Sequence, residues 1–130
     1  KSLRNALLFN VLAYMSDRLL TGGNTVTVLD ELYLWLSNPV AIEYIRNCLK
    51  RVRKRDSALV MASQNLEDFD QEGVREMTKP LFAIPPHQFL FNPGSIGKRF
   101  YMDMLQLDEA EFELIQRARR GECLYKCGIL

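Results

Sequence analysis

The sequence predicts an α/β fold with a mainly parallel sheet, and three observations carry that expectation. Two short apolar runs, 25–29 (Thr-Val-Thr-Val-Leu) and 58–62 (Ala-Leu-Val-Met-Ala), read as strands. One amphipathic helical pattern lies between them, and the second run begins 33 residues after the first, the size of a βαβ unit. The remaining patterns go on alternating, in the order α-β-α-β-α-β-α-α-β, and short connections of this kind favour parallel strands with right-handed crossovers.

The first element is a helix from residue 3 to about residue 20. Leu8, Leu12, Met15 and Leu19 form one stripe, while Phe9, Val11 and Tyr14 make other sides apolar, so a well-buried helix is expected. Thr21-Gly22-Gly23-Asn24 stops it before the first strand, which ends abruptly at Asp30-Glu31. Residues 39–54 form the clearest helix. Pro39 suits its first position, Ser37 or Asn38 can cap it, and Ala41, Ile45, Cys48, Leu49 and Val52 give its stripe. The 58–62 run lacks alternation, as in a strand covered on both faces, and ends at Ser63-Gln64. A short helix is expected at 70–79, a third strand at 89–91 after Pro85-Pro86, and a helix at 96–105. Asp108 and Glu111 form a capping box for a further helix that stops at Gly121. Residues 122–126 make the last strand.

Composition bounds the function. The 130 residues carry a net charge of +1, so no global electrostatic pull toward nucleic acid or a membrane is implied. The uncharged N-terminal run, 5–16, is shorter than the roughly 20 apolar residues a membrane span needs. No signal peptide is evident, and the chain is expected to be soluble. An odd count of three cysteines does not make a disulfide framework and points to a reducing, cytoplasmic setting. Cys123 and Cys127 would share a strand face about 13 Å apart. With His87 as the sole histidine a complete zinc site is not expected, and the thiols read as buried small apolar groups. The first residue is Lys1, which suggests an excised or processed chain.

Asp30 and Glu31 are the first candidates for chemistry. Two acids directly after a buried strand are costly without a task or partners. In P-loop ATPases the first such acid holds Mg²⁺ and the second polarises the attacking water, because phosphoryl transfer rests on positioning and charge neutralisation. The same two residues would also suit a helix N-terminus. If the two strands are parallel neighbours, Gln64 lies at the same carboxyl edge as Asp30, where α/β sheets bind ligands. There it could meet a terminal phosphate or the lytic water, or simply cap the next turn. The basic run 50–55 fits a helix C-terminus, and a nucleic-acid contact or an arginine finger acting in trans are the alternatives. Arg120-Gly121 reads first as a cationic last turn with a glycine stop. Gly94-Ser95-Ile96-Gly97-Lys98-Arg99 is not a phosphate-binding loop: only two residues separate its glycines, and Arg99 stands where a hydroxyl is required.

Taken together, Val28-Leu29-Asp30-Glu31-Leu32, Arg51-Val52-Arg53-Lys54-Arg55, Ala62-Ser63-Gln64 with Asp68-Phe69, and Arg120-Gly121-Glu122-Cys123-Leu124 resemble the conjugation ATPases of type IV secretion systems. These are the large VirB-four-like, TraE/TrsE-type proteins, and the Gram-positive mobile-element branch is nearest in pattern. The resemblance covers about residues 26–127. It implies that 1–130 is the C-terminal portion of a RecA-like, three-layer ATPase domain lacking the Walker A part. It further implies an ATP-hydrolysing, Mg²⁺-dependent motor, a hexamer-forming homo-oligomer working in the cytoplasm at the inner face of the cell membrane. The motor would work with other secretion-channel components, and with DNA as a possible cargo. Under the resemblance, Asp30 binds Mg²⁺, Glu31 is the catalytic base, Gln64 senses phosphate, and Arg53 with Arg120 are arginine-finger or intersubunit candidates. Ser63 replaces the family's usual Thr, and Leu32-Tyr33 a more usual Ala-Trp. Nucleotide binding by these 130 residues alone is not expected. A coupling-protein type of DNA translocase and a non-catalytic docking module are the competing readings.

Overall fold

Helices and strands alternate as the sequence implies, in a computed structural model that describes residues 2–36, 38–64, 66–69 and 73–128. Ser37, a candidate cap, and residues 70–72, the start of one expected helix, lie outside the described residues. The chain divides into two units, 1–78 and 79–130. Among the described residues no helix is long and apolar enough to cross a membrane.

In the first unit, α1 (Ser2–Ser16) runs into a π-helical turn, Asp17–Gly22. The wider turn lets two consecutive residues, Leu19 and Leu20, both be buried. The stripe of Leu12, Met15 and Leu19 is buried as expected, but Leu3, Leu7, Val11 and Tyr14 are exposed, so α1 is not buried all round. β1 (Val26–Leu29) follows, and α2 (Pro39–Arg51) leads through a 3₁₀ turn, Val52–Arg55, to β2 (Ala58–Met61). Pro39 opens α2, and the Asn38 side chain accepts the Val40 N–H at 2.8 Å, so the cap is Asn38. Ala41, Ile42, Ile45 and Cys48 are fully buried, each large side chain contributing about 1.5–3 kcal/mol. A hydrogen bond between Ser16 Oγ and Cys48 Sγ, 3.2 Å, ties α1 to α2.

β1 and β2 are parallel, in the register Val26↔Ala58 to Leu29↔Met61. One face of the pair, carrying Leu29, turns inward. The other does not: Val26 is 68% and Val28 63% exposed, and Val60 is exposed beside them. The expectation of cover on both faces fails within this chain. An apolar run shows that a face suits burial, not which chain buries it.

α3 (Arg75–Ala83) crosses the division between the units in sequence and runs four residues past the expected end at 79. In the second unit, β3 (His87–Leu90), α4 (Lys98–Leu105), α5 (Glu109–Arg117) and β4 (Leu124–Cys127) follow one another. Asp108 and Glu111 form the expected capping box, with bonds of 2.8 and 3.1 Å. α5 stops at Arg117, four residues before Gly121, because Ala118 turns extended. β3 and β4 pair antiparallel, His87↔Cys127 to Leu90↔Leu124, and form a sheet of their own. This corrects the expectation of parallel strands for this pair. One crossover helix returns the chain to run parallel, whereas two helices in succession, α4 and α5, can bring it back in the opposite sense. Cys123 and Cys127 are exposed, and only Cys48 is a buried thiol, so the apolar reading holds for one cysteine of the three.

Candidate functional site

The parallel register decides where the polar strand ends go. β1 and β2 finish side by side at Leu29 and Met61, so Asp30 and Gln64 stand at the same carboxyl edge. Two backbone bonds carry the ladder past the strands: Ala62 N–H donates to Leu29 O, and Leu32 N–H donates to Ala62 O, each at 2.9 Å. Leu32 and Leu36, at 2% and 1% exposure, pin the 3₁₀ turn Leu32–Leu34 and the residues after it into the core. Asp30 and Glu31 are thus held between a buried strand end and a turn anchored by buried Leu32.

Glu31 itself adopts a left-handed backbone, φ 50° and ψ 54°. For a residue with a β-carbon that costs about 1 kcal/mol or more, a conformation kept where surrounding contacts over-determine it. Two such contacts are present. Asp30 Oδ1 accepts the Glu31 N–H at 2.8 Å, and Gln64 Nε2 donates to Glu31 Oε1 at 3.1 Å. Asp30, Ala62, Ser63 and Gln64 are exposed and Glu31 is half-buried, so the edge is open to solvent.

The donor set is one of hard oxygens. No group of three or more His, Cys, Asp or Glu able to hold a metal occurs among the described residues. Mg²⁺ takes one or two carboxylates and completes its shell with water and substrate phosphates. An Asp30 carboxylate with one oxygen on the Glu31 N–H and the rest of its lone pairs facing solvent fits that pattern.

The two arginines are placed differently. Arg53 is exposed in the 3₁₀ turn before β2, at the amino ends of the parallel strands and so at the opposite end from Glu31. Arg120 is exposed in the turn after α5, in the second unit. The structure therefore brings together Asp30, Glu31 and Gln64, and does not bring Arg53 to them.

Sequence reasoning missed a second polar cluster. On the exposed face of β3–β4, His87 Nδ1 lies 2.5 Å from Tyr125 Oη and 3.8 Å from Cys127 Sγ, and the Phe89 ring stacks on Tyr125 at 4.8 Å between centroids. The neighbouring Cys127 side chain pushes the Tyr125 phenol above its ordinary value. The alternation of His87 with Phe89 and of Tyr125 with Cys127 was the available signal.

No protein-family profile matches the chain. A probable conjugal transfer protein of the TrbE type from Sinorhizobium fredii is 33% identical over 105 residues, 78% of this chain and 15% of the relative. The conjugal transfer protein TrbE of Rhizobium radiobacter is 32% identical over 114 residues, 83% of this chain and 14% of the relative. Among solved structures, VirB4 of Thermoanaerobacter pseudethanolicus superposes with a TM-score of 0.84 at 31% identity, over 98% of this chain and 35% of that one. The chain thus spans about one seventh of the curated relatives it matches.

Proposed function

We infer that the chain supplies the water-activating edge of an ATP-driven motor, because it belongs to the VirB4 and TrbE family of type IV secretion and conjugal transfer proteins. The observation that carries the reading is the meeting of Asp30, Glu31 and Gln64 at one open carboxyl edge of a parallel strand pair. Residues 1–130 are read as the C-terminal portion of a RecA-like ATPase domain, and no phosphate-binding loop motif occurs among them.

Asp30 is the residue to hold Mg²⁺, which when bound neutralises phosphate charge. The Glu31 carboxylate takes the proton of the attacking water as general base, and Gln64 presents an amide to the terminal phosphate. Either Arg53 or Arg120, both exposed, acts across a subunit boundary in a homo-oligomer, a hexamer in this reading. The assembled motor works beside other secretion-channel components at the cytoplasmic face of the cell membrane, with DNA among its cargoes.

The test is Glu31→Gln in the full-length protein. The substitution keeps the shape and removes the proton acceptor. Turnover is expected to fall about 10²–10⁴-fold with nucleotide affinity retained. Wild-type hydrolysis by Glu31→Gln would reduce the Asp30–Glu31 pair to a polar strand end.

A further inference from the structure

Gln64 has a partner in this structure that a phosphate sensor must give up. Its Nε2 donates to Glu31 Oε1 at 3.1 Å across 33 residues of sequence. The contact is set by the sheet and not by a long mobile segment. Ala62, two residues before Gln64, bonds through its backbone to Leu29 and Leu32, which bracket Glu31 on both sides. On its other flank Glu31 is held through its N–H by Asp30 Oδ1 at 2.8 Å. Its backbone is left-handed, φ 50°, and its carboxylate meets the Gln64 amide at the strand edge.

We propose that Gln64 is a positioning residue that holds the Glu31 carboxylate until the terminal phosphate of a nucleoside triphosphate draws its amide away. The proposal rests on reading Asp30 and Glu31 as the hydrolytic pair. A carboxylate oxygen that accepts an amide N–H has fewer lone pairs left for water. A phosphate oxygen carrying greater charge is the stronger acceptor for the same amide. Ligands of α/β sheets enter at the carboxyl edge where both side chains stand. Triphosphate binding therefore exchanges Glu31 for phosphate at Gln64 and releases the base only when there is a bond to cut. A diphosphate, lacking the terminal group, leaves Gln64 on Glu31, so an emptied site does not waste its base.

The experiment is a double-mutant cycle on nucleotide affinity in the full-length protein, using Glu31→Ala, Gln64→Ala and the double variant. The probes are ADP and an ATP analogue with a non-hydrolysable β,γ-bridge. Removing the Glu31 charge tightens any phosphate ligand in both backgrounds, and the cycle subtracts that common effect. The expected result is that Glu31→Ala tightens the analogue at least about threefold more when Gln64 is present than in Gln64→Ala. ADP shows no such coupling. Gln64→Met, which keeps the length without the amide, should behave as Gln64→Ala and lower kcat with ADP affinity unchanged. Additive effects on the analogue, or equal coupling for ADP, would overturn the exchange, and a merely structural Gln64 would weaken both nucleotides alike. Absence of nucleotide binding by the wild-type protein is a different failure, which removes the hydrolytic reading itself.

Discussion

Gly23 lies so close to Arg55 that a β-carbon on it would stand 2.8 Å from the Arg55 carbonyl oxygen. The same oxygen accepts the Asn24 N–H at 2.9 Å. Ser57 adds to the seam, donating its Oγ to Leu19 O at 2.8 Å and accepting the Thr25 N–H at 3.2 Å. The end of the first helical segment is thus stitched to the chain entering β2, which fixes where β1 starts.

Gly23→Ala should therefore destabilise the fold by about 1–3 kcal/mol, since the new methyl meets backbone and φ is +69°. Gly22→Ala, with nothing within 4 Å of its β-carbon, should stay within about 0.5 kcal/mol of wild type. Denaturant midpoints of the two variants compare them directly. Equal midpoints would mean that the seam relaxes and carries no strain.

Opening the capping box is a second, local test. Asp108→Ala removes the acceptor of the Glu111 N–H and should cost about 1 kcal/mol. Hydrogen exchange should quicken in the first turn of α5 while amides of β1 and β2 keep their protection. Uniform loss of protection would show that α5 does not open by itself.

The third prediction concerns pH. Tyr101 is buried and packs edge-on against Phe112 at 6.1 Å between centroids, and burial raises its phenol above the ordinary 10.0. A phenol whose folded value is raised leaves stability intact below the unfolded value and takes it away as pH rises through the folded one. Wild-type stability should then fall above about pH 10 more steeply than that of Tyr101→Phe, which has no proton to lose. Parallel stability curves for the two proteins would place Tyr101 in water.

What the sequence made legible is unequal, for physical reasons. The β-branched run at 26–29 and the stripe Ala41, Ile45, Cys48 stand out because strand and helix periods differ. From these the parallel pair and the shared edge of Asp30 and Gln64 follow. The open valine face was not legible, since an apolar run looks the same whichever chain covers it. The left-handed backbone of Glu31 carried no signal, because Gly or Asn would mark such a position and Glu does not. The antiparallel β3–β4 pair required counting two intervening helices, and the early end of α5 was masked by a better stop signal at Gly121.

The position of Arg53 yields the last prediction. Four-residue parallel strands at about 3.3 Å per residue separate Arg53, before β2, from Glu31, after β1, by the length of the strand pair. An arginine at the amino ends cannot serve the carboxyl edge of its own strands. If Arg53 stabilises transferred phosphate, it does so at the site of a neighbouring subunit. Arginine fingers given in trans contribute about 10³–10⁵-fold. In the full-length protein, Arg53→Ala and Glu31→Gln should each abolish most turnover alone. Mixed oligomers of the two should regain part of it, because some boundaries then pair an intact Glu31 site with an intact Arg53. The same mixing with Arg120→Ala asks whether the second unit provides the cation instead. Size-exclusion chromatography with light scattering must show that mixed oligomers have formed. Mixed oligomers without recovered ATPase activity for either arginine would leave Arg53 and Arg120 as solvated cations at helix ends.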